Sequence, residues 1–282
     1  MKNILRYIIA ILLTIVIIAF LLINLLSSTI LSEKYVLSKL EETDYYNKMY
    51  EYVQSSFENY IYQSGLEENV LDNIVSKDKI EKDTKIIIGN IYDGLNEKID
   101  TQEIKDKLNS NINKSLKNQK MNATQKEAID KFVGEITNEY TKTMSHTNYE
   151  TQINKTYAKG MKYIGIVKKA MLVSIAILVI LLIFISLKRI YRIFTILGVS
   201  MLSSGTFFAI TNWYIMAKIK VQTITILNDA ISDCVRNILQ ELLNTVKNEA
   251  LILGLAGICL IIIPSLIHYY IRCKDEKSTK VV

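Results

Sequence analysis

The run YIIAILLTIVIIAFLLINLL, Tyr7 to Leu26, decides how the rest of the chain is read. Twenty residues at about 1.5 Å each make a helix about 30 Å long, the thickness of a bilayer's hydrocarbon core. Inside that core the backbone must satisfy its own N–H and C=O groups, which a helix does within one segment. Arg6 and Tyr7 stand at its start, where a cation and an amphipathic ring suit the membrane–water boundary. The apolar run is too long for a cleaved leader, and no A-x-A site follows it, although Leu26-Ser27-Ser28-Thr29 leaves that reading open. Residues 1–27 are therefore expected to be an uncleaved transmembrane signal anchor.

Three further runs repeat the pattern, at about Ala170 to Leu187, Ile193 to Met216 and Ala250 to Ile271. The first of these runs directly into Lys188-Arg189-Ile190-Tyr191-Arg192. The next ends in Trp213 and Tyr214, and the last in His268, Tyr269, Tyr270 and Arg272. The expected fold class is an all-α integral membrane protein with four transmembrane helices. A helical-bundle extracytoplasmic domain is expected between the first and the second, at residues 28–165. Residues 166–216 hold spans two and three with a short basic loop at 188–192. Residues 217–249 form a second outer, amphipathic segment, and 250–282 the fourth span and a basic tail. The single proline and ten glycines suit long helices and are too few for a chain of turns.

The net charge of +6 resembles a nucleic-acid signal until its placement is considered. Lys2, Arg6, Lys188, Arg189, Arg192, Arg272, Lys274, Lys277 and Lys280 all flank apolar runs, whereas Ser32 to Lys162 is slightly acidic. That placement is an orientation signal, so no nucleic-acid partner is expected and both termini are expected in the cytoplasm. Lys168, Lys169, Lys218 and Lys220 dissent but are outnumbered. The wealth of Lys, Ile and Asn suggests an AT-rich bacterial genome, and hence a bacterial plasma membrane.

Between residues 28 and 165 the apolar positions recur at helical spacing. Thr43 is expected to cap a helix through Ser64, stopped by Gly65 and carrying Tyr46, Met49, Val53, Phe57 and Tyr60. Ser76 is expected to cap a helix with Ile80, Ile87, Ile91 and Leu95, and Thr101 one with Ile104, Leu108, Ile112 and Leu116. Asn122 or Ala123 begins a helix with Ile129, Phe132, Val133, Ile136 and Tyr140 on one face. A last helix from about Tyr149 runs into the second span. Helices that leave and re-enter one membrane surface suggest an up-and-down bundle.

Residues 217–249 are ambiguous. Ile224, Leu227, Ile231, Val235, Ile238, Leu242 and Val246 make a helical stripe, yet the chain has to turn back to the membrane. Asn228-Asp229 and Ser232-Asp233 are the candidate turns, and Val221 to Ile226 alternates like a strand.

Chemistry is sparse. Cys234, Cys259 and Cys273 form no disulfide or zinc spacing, no metal-ligand set is found, and no phosphate-binding glycine loop is present. His146 lies in a polar loop, and His268 reads as an interfacial anchor. Ser200 and His268 are the one pair that could form an intramembrane hydrolase, if both faced each other in the bilayer. Ser200, Ser204 and Gly205 equally make a small-residue packing face, and Gly254 and Gly257 allow close approach in the fourth span. Carboxylates such as Glu41-Glu42, Glu67-Glu68 and Asp78, Glu81 and Asp83 alternate with lysines and read as solvated helix faces. No Asp, Glu, Lys or Arg falls inside an apolar core, which argues against a self-contained pump or carrier. Pro264 is expected to kink the fourth span.

The expected function is therefore non-enzymatic, with no catalytic residue and no cofactor. It is partner binding by the outer helical domain, in a scaffold or component of an envelope or secretion assembly. Expected partners are the lipid bilayer, other membrane or envelope proteins, and further copies of the chain. The order of span, outer domain and three more spans is similar to that of the FtsX-like and MacB-like permeases. That resemblance implies a permease-type subunit working with a separate ATPase. Those families carry a longer cytoplasmic segment between spans two and three, and Lys188 to Arg192 departs from it. A ligand sensor that signals through a partner is the remaining alternative.

Overall fold

A computed structural model describes residues 2–116, 122–145, 150–187 and 189–278. Among the described residues the regular structure is wholly helical. Its α-helices are α1 (Lys2–Ser28), α2 (Glu33–Glu42), α3 (Tyr45–Ser64), α4 (Lys77–Asp93), α5 (Gln102–Ser115), α6 (Ala123–Ser145), α7 (Glu150–Ser186), α8 (Tyr191–Lys218) and α9 (Asp229–Ser278). Four stretches are long and apolar enough to cross a membrane: Ile4–Ser28, Tyr163–Ser186, Tyr191–Lys218 and Asp229–Tyr270. This is the make-up of a multi-pass membrane protein. The chain divides into two compact units, one of Met1–Thr29, Lys162–Ile224 and Ile238–Val282, the other of Ile30–Met161 and Thr225–Asn237.

In the first unit α1 and α8 run side by side in the same direction. Ser200 Oγ donates to the Ala10 carbonyl at 3.0 Å, and one turn further on Ser204 Oγ donates to the Thr14 carbonyl at 3.4 Å. The helix α7 runs the opposite way. Arg6 near the start of α1 donates to Ser186 Oγ and to the Ile185 carbonyl, both at 3.0 Å, at the end of α7. At the other end of α1, Lys168 Nζ donates to Ser27 Oγ at 2.7 Å. The helix α9 also opposes α8: Gly198 meets Gly257, Gly205 meets Ala250, and Asn212 Nδ2 donates to the Leu243 carbonyl at 2.9 Å. Apolar contacts fill the seams, with Ile9, Leu182 and Ile193 in one cluster and Phe208, Ala250 and Leu253 in another. Residues on the remaining faces, such as Ile15, Ile180, Ile210 and Leu255, are exposed and aliphatic. Acyl chains are the solvent that such a surface fits.

The second unit is a bundle built mainly from α2 to α6. Its core uses the stripes read from the sequence: Met49, Val53 and Phe57 on α3, Ile80 on α4, Ile104, Leu108 and Ile112 on α5, and Phe132, Val133, Ile136 and Tyr140 on α6. Tyr46 and Tyr60 are half-buried, because the interior stripe of α3 steps through Tyr45 and Ile61 instead. Ser76 caps α4 by accepting from the Lys79 amide. Asn122 and Gln125 exchange side-chain and backbone bonds of 2.8 and 3.0 Å at the start of α6, a reciprocal cap. Gly65 closes α3 at φ +69°, a left-handed conformation that costs glycine nothing.

Four expectations are corrected. Thr43 does not start α3. It ends α2, a ten-residue helix that its short stripe concealed, and its hydroxyl bonds back to the Lys39 carbonyl at 2.7 Å. Asp44, left-handed at φ 56°, takes the N-cap position instead. Thr101 holds the N-cap position of α5 without a side-chain bond, and Asp100 Oδ1 accepts from the Gln102 amide in its place. Ser232-Asp233 is not a turn. The chain reverses between Ile219 and Asn228, through a 3-10 turn at Val221–Thr223 rather than a strand, and Leu227 adopts φ 56°. From Asp229 one helix of 50 residues continues through Pro264 to Ser278, started by Asn228 Oδ1 accepting from the Ile231 amide at 2.9 Å.

The fourth correction concerns Asp83, which is not on a solvated face. It is 0 % exposed and held in the bundle core. Lys79 Nζ donates to both its oxygens at 2.8 and 2.7 Å, and Tyr140 of α6 donates to Oδ2 at 2.6 Å. A buried carboxylate survives in a low-dielectric interior only with its charge and lone pairs matched in this way. Burial, then the bond to Asp83, pushes the Tyr140 phenol far above its ordinary value.

Candidate functional site

Ser200 and His268 are not brought together. Ser200 is 0 % exposed and its hydroxyl is spent on the Ala10 carbonyl of α1. His268 stacks on Tyr191 with ring centroids 4.2 Å apart and planes at 11°. Tyr191 precedes Ser200 on α8 by nine residues, about 13 Å of helix rise. The serine–histidine contact that nucleophile activation needs is therefore absent from this pair. His146 lies outside the described residues. Cys234 is buried and Cys259 exposed, both as free thiols, and the side chain of Cys273 lies outside those described. No group of three or more His, Cys, Asp or Glu that could hold a metal occurs among the described residues.

The bundle carries a cleft that no single motif announced. One wall is α3, which presents Tyr50, Gln54, Glu58, Ile61 and Tyr62, spaced at about one turn each. The other wall is the 3-10 turn Glu68–Leu71 with Asp72 and Asn73 behind it. The space between has a volume of about 500 Å³. A second hollow of about 570 Å³ shares Asp72 and Asn73 and is bounded by Lys107, Asn111 and Lys114 of α5.

The turn is fixed in place from three sides. Val70 and Leu71 anchor it in the core. Asn111 Nδ2 donates to the carbonyls of Val70 at 3.1 Å and Asp72 at 2.9 Å. Ser115 Oγ donates to Glu67 Oε2 at 3.3 Å. Asn73 then turns the chain at φ 55°, a region asparagine tolerates better than most side chains.

The chemistry of the cleft is acidic and aromatic. Glu58, Glu68 and Asp72 are exposed, and none makes an ion pair among the described residues. Tyr62 is 78 % exposed. The amide nitrogen of Gln54 is buried and has no hydrogen-bond partner among the described residues. Carboxylates beside open tyrosine faces are the groups that receive a guanidinium or ammonium, by ion pairing and by contact with the ring face. Sequence reading missed the cleft because Glu58, Glu68 and Asp72 are distributed over a helix and a turn. Only the fixed 67–73 segment makes them neighbours.

No protein-family model matches the chain, and neither a curated protein nor a solved structure matches it.

Proposed function

We propose that this is a non-enzymatic multi-pass membrane protein that binds a protein partner through the cleft between α3 and the Glu68–Asn73 segment. The bundle lies outside the cytoplasm and both termini lie inside it, and the protein serves as a scaffold or component of an envelope or secretion assembly. The observation that carries the reading is the set of three carboxylates, Glu58, Glu68 and Asp72, which make no ion pair among the described residues and are set against Tyr50 and Tyr62 in a rigidly held cleft. The occupant that suits it is a basic segment of a partner, with an arginine or lysine seated among the carboxylates. The basic flanks at Arg6, Arg189 and Arg192 support the orientation.

Photo-crosslinking in intact cells tests this, with a benzoyl-phenylalanine placed at Tyr62 of the full-length chain. One envelope protein should be captured in near-stoichiometric yield, and Glu58→Lys with Asp72→Lys should abolish its capture. Capture that survives both charge reversals removes the cleft from the reading. Co-purification of a stoichiometric ATPase instead would make the chain a permease-type subunit.

A further inference from the structure

The transmembrane unit holds a cavity larger than either hollow described in the bundle. About 980 Å³ in volume, it lies between the start of α8 and the far part of α9. Its walls are hydrocarbon: Phe194 on α8, and Leu260, Ile263 and Ile267 on α9, with Pro264 among them. Its mouth is polar and cationic. Arg189, Tyr191 and His268 line it, and Tyr191 and His268 are stacked. Arg192 adds a second guanidinium, donating from Nε to the Tyr191 hydroxyl at 3.3 Å with its charge 5.9 Å from that ring's centroid. Neither Arg189 nor Arg192 makes an ion pair among the described residues.

We propose that this cavity binds an anionic glycerophospholipid, with the phosphate at Arg189 and Arg192 and an acyl chain along Phe194, Leu260, Ile263 and Ile267. The alternative account of the two arginines is orientation alone, but orientation needs only a number of cations in the loop. It does not need an apolar hollow that Arg189 lines and that Arg192 borders through Tyr191. A basic mouth over an inter-helical apolar pocket is the arrangement that holds lipid head groups. The volume falls at the upper end of small-molecule sites and admits a long chain. A zwitterionic lipid fits the hydrocarbon equally well, so the charge at the mouth selects the anionic one. The proline contributes by having no N–H to give the Leu260 carbonyl, which leaves α9 less tightly bonded where it borders the hollow.

The test uses the full-length protein in detergent, and dioleoyl phosphatidylglycerol and dioleoyl phosphatidylcholine as probes. Bound lipid is read by native mass spectrometry. Wild type should retain phosphatidylglycerol at least tenfold better than phosphatidylcholine. Arg189→Gln with Arg192→Gln should erase that preference, and Arg189→Lys with Arg192→Lys should keep most of it. Ile263→Trp, which fills the hollow and leaves the charges alone, should weaken both lipids. Equal retention of the two lipids by wild type would overturn the proposal, as would undiminished phosphatidylglycerol binding in the glutamine variant. A phosphatidylglycerol with a diazirine in its acyl chain keeps the test independent of the variants' folding. Label on Phe194 and on residues 260–267 of wild type supports the site, and label confined to other helices sinks it.

Discussion

Gly198 of α8 and Gly257 of α9 pass backbone against backbone. A Cβ added to either would sit 2.7 Å from the other's carbonyl oxygen. Gly205 is similarly confined, with the Ala250 carbonyl and the Gly254 amide each 2.9 Å from where its Cβ would be. Between apolar helices in lipid, such close approach is what makes packing favourable. Gly198→Ala and Gly257→Ala should each cost about 1–3 kcal/mol through overpacking. Gly254→Ala is the control, since nothing lies within 4 Å of its Cβ, and it should be neutral or slightly stabilising. Thermal unfolding of the detergent-solubilised protein reads the difference. Equal effects at all three positions would contradict the packing described.

The ionic core of the bundle predicts an order of effects. Asp83→Ala strands the Lys79 ammonium in the interior and should cost about 3–5 kcal/mol. Tyr140→Phe removes one bond to a carboxylate that keeps its lysine, and should cost about 1.5–3 kcal/mol. Lys79→Met with Asp83→Leu replaces the pair by hydrocarbon but leaves the buried Tyr140 hydroxyl without its acceptor, so it should be milder than Asp83→Ala and not milder than Tyr140→Phe. Denaturant unfolding followed by circular dichroism ranks the three. A double variant worse than Asp83→Ala would show that the pair does more than satisfy itself.

These two sites show what the sequence made legible. The four spans, the Ser76, Asn122 and Gly65 helix boundaries and most of the bundle stripes depend on composition and periodicity within one segment. They are readable because each segment's burial follows from its own pattern. Asp83 was not readable. Its neighbours Asp78 and Glu81 are exposed or half-buried, and what distinguishes it is a tyrosine 57 residues away on α6. The reversal at 219–228 was legible only at its end, Asn228-Asp229, for a related reason. The stripe through Ile224 and Leu227 continues the period of α9, but the chain there is held by Ser232 Oγ bonding to both the amide and the carbonyl of Ile226. The candidate cleft likewise exists only after α5 has fixed the Glu68–Asn73 segment.

Ser200 gives a test that separates packing from catalysis. Its hydroxyl bridges α8 to α1, and Thr14 donates back to the Ser200 carbonyl at 3.5 Å. Inter-helical bonds of this kind average about 0.6 kcal/mol in a membrane protein and reach about 1.7. Ser200→Ala should therefore lower stability by about 0.5–2 kcal/mol while leaving the cellular phenotype of the wild type intact. A phenotype as severe as deletion, in a variant that still folds, would restore the hydrolase reading.

Alkali should unfold the bundle through its tyrosines. Burial pushes the Tyr45 phenol from its ordinary 10.0 up to about 12. Tyr92 is pushed higher by burial beside Tyr157, and Tyr140 is raised further still. Below pH 10 these phenols are neutral in the folded and unfolded chain alike, and their contribution to stability is complete. Above that the unfolded chain ionises first, so stability falls as pH climbs through the folded values. Denaturation midpoints measured with rising pH should decline from about pH 10 upward, in step with tyrosinate absorbance. Tyr45→Phe should decline less steeply between pH 10 and 12. A midpoint that is flat across that interval would mean the three phenols reach solvent.

Asn111 offers a change that is local where Asp83 is global. It holds the Val70 and Asp72 carbonyls, but the turn it secures also has Val70 and Leu71 buried in the core. Asn111→Ala exposes two carbonyls that water can reach, so the global cost should be about 1 kcal/mol. The local effect should be larger, because the 67–73 segment then keeps its hydrophobic anchors and loses the bonds that orient it. Hydrogen exchange should speed up at the amides of residues 68–73 and stay unchanged in α6. Capture by a crosslinker at Tyr62 should fall with it, since Glu68 and Asp72 would no longer be held against Glu58. Unchanged exchange in the segment would show that its apolar anchors alone set the cleft.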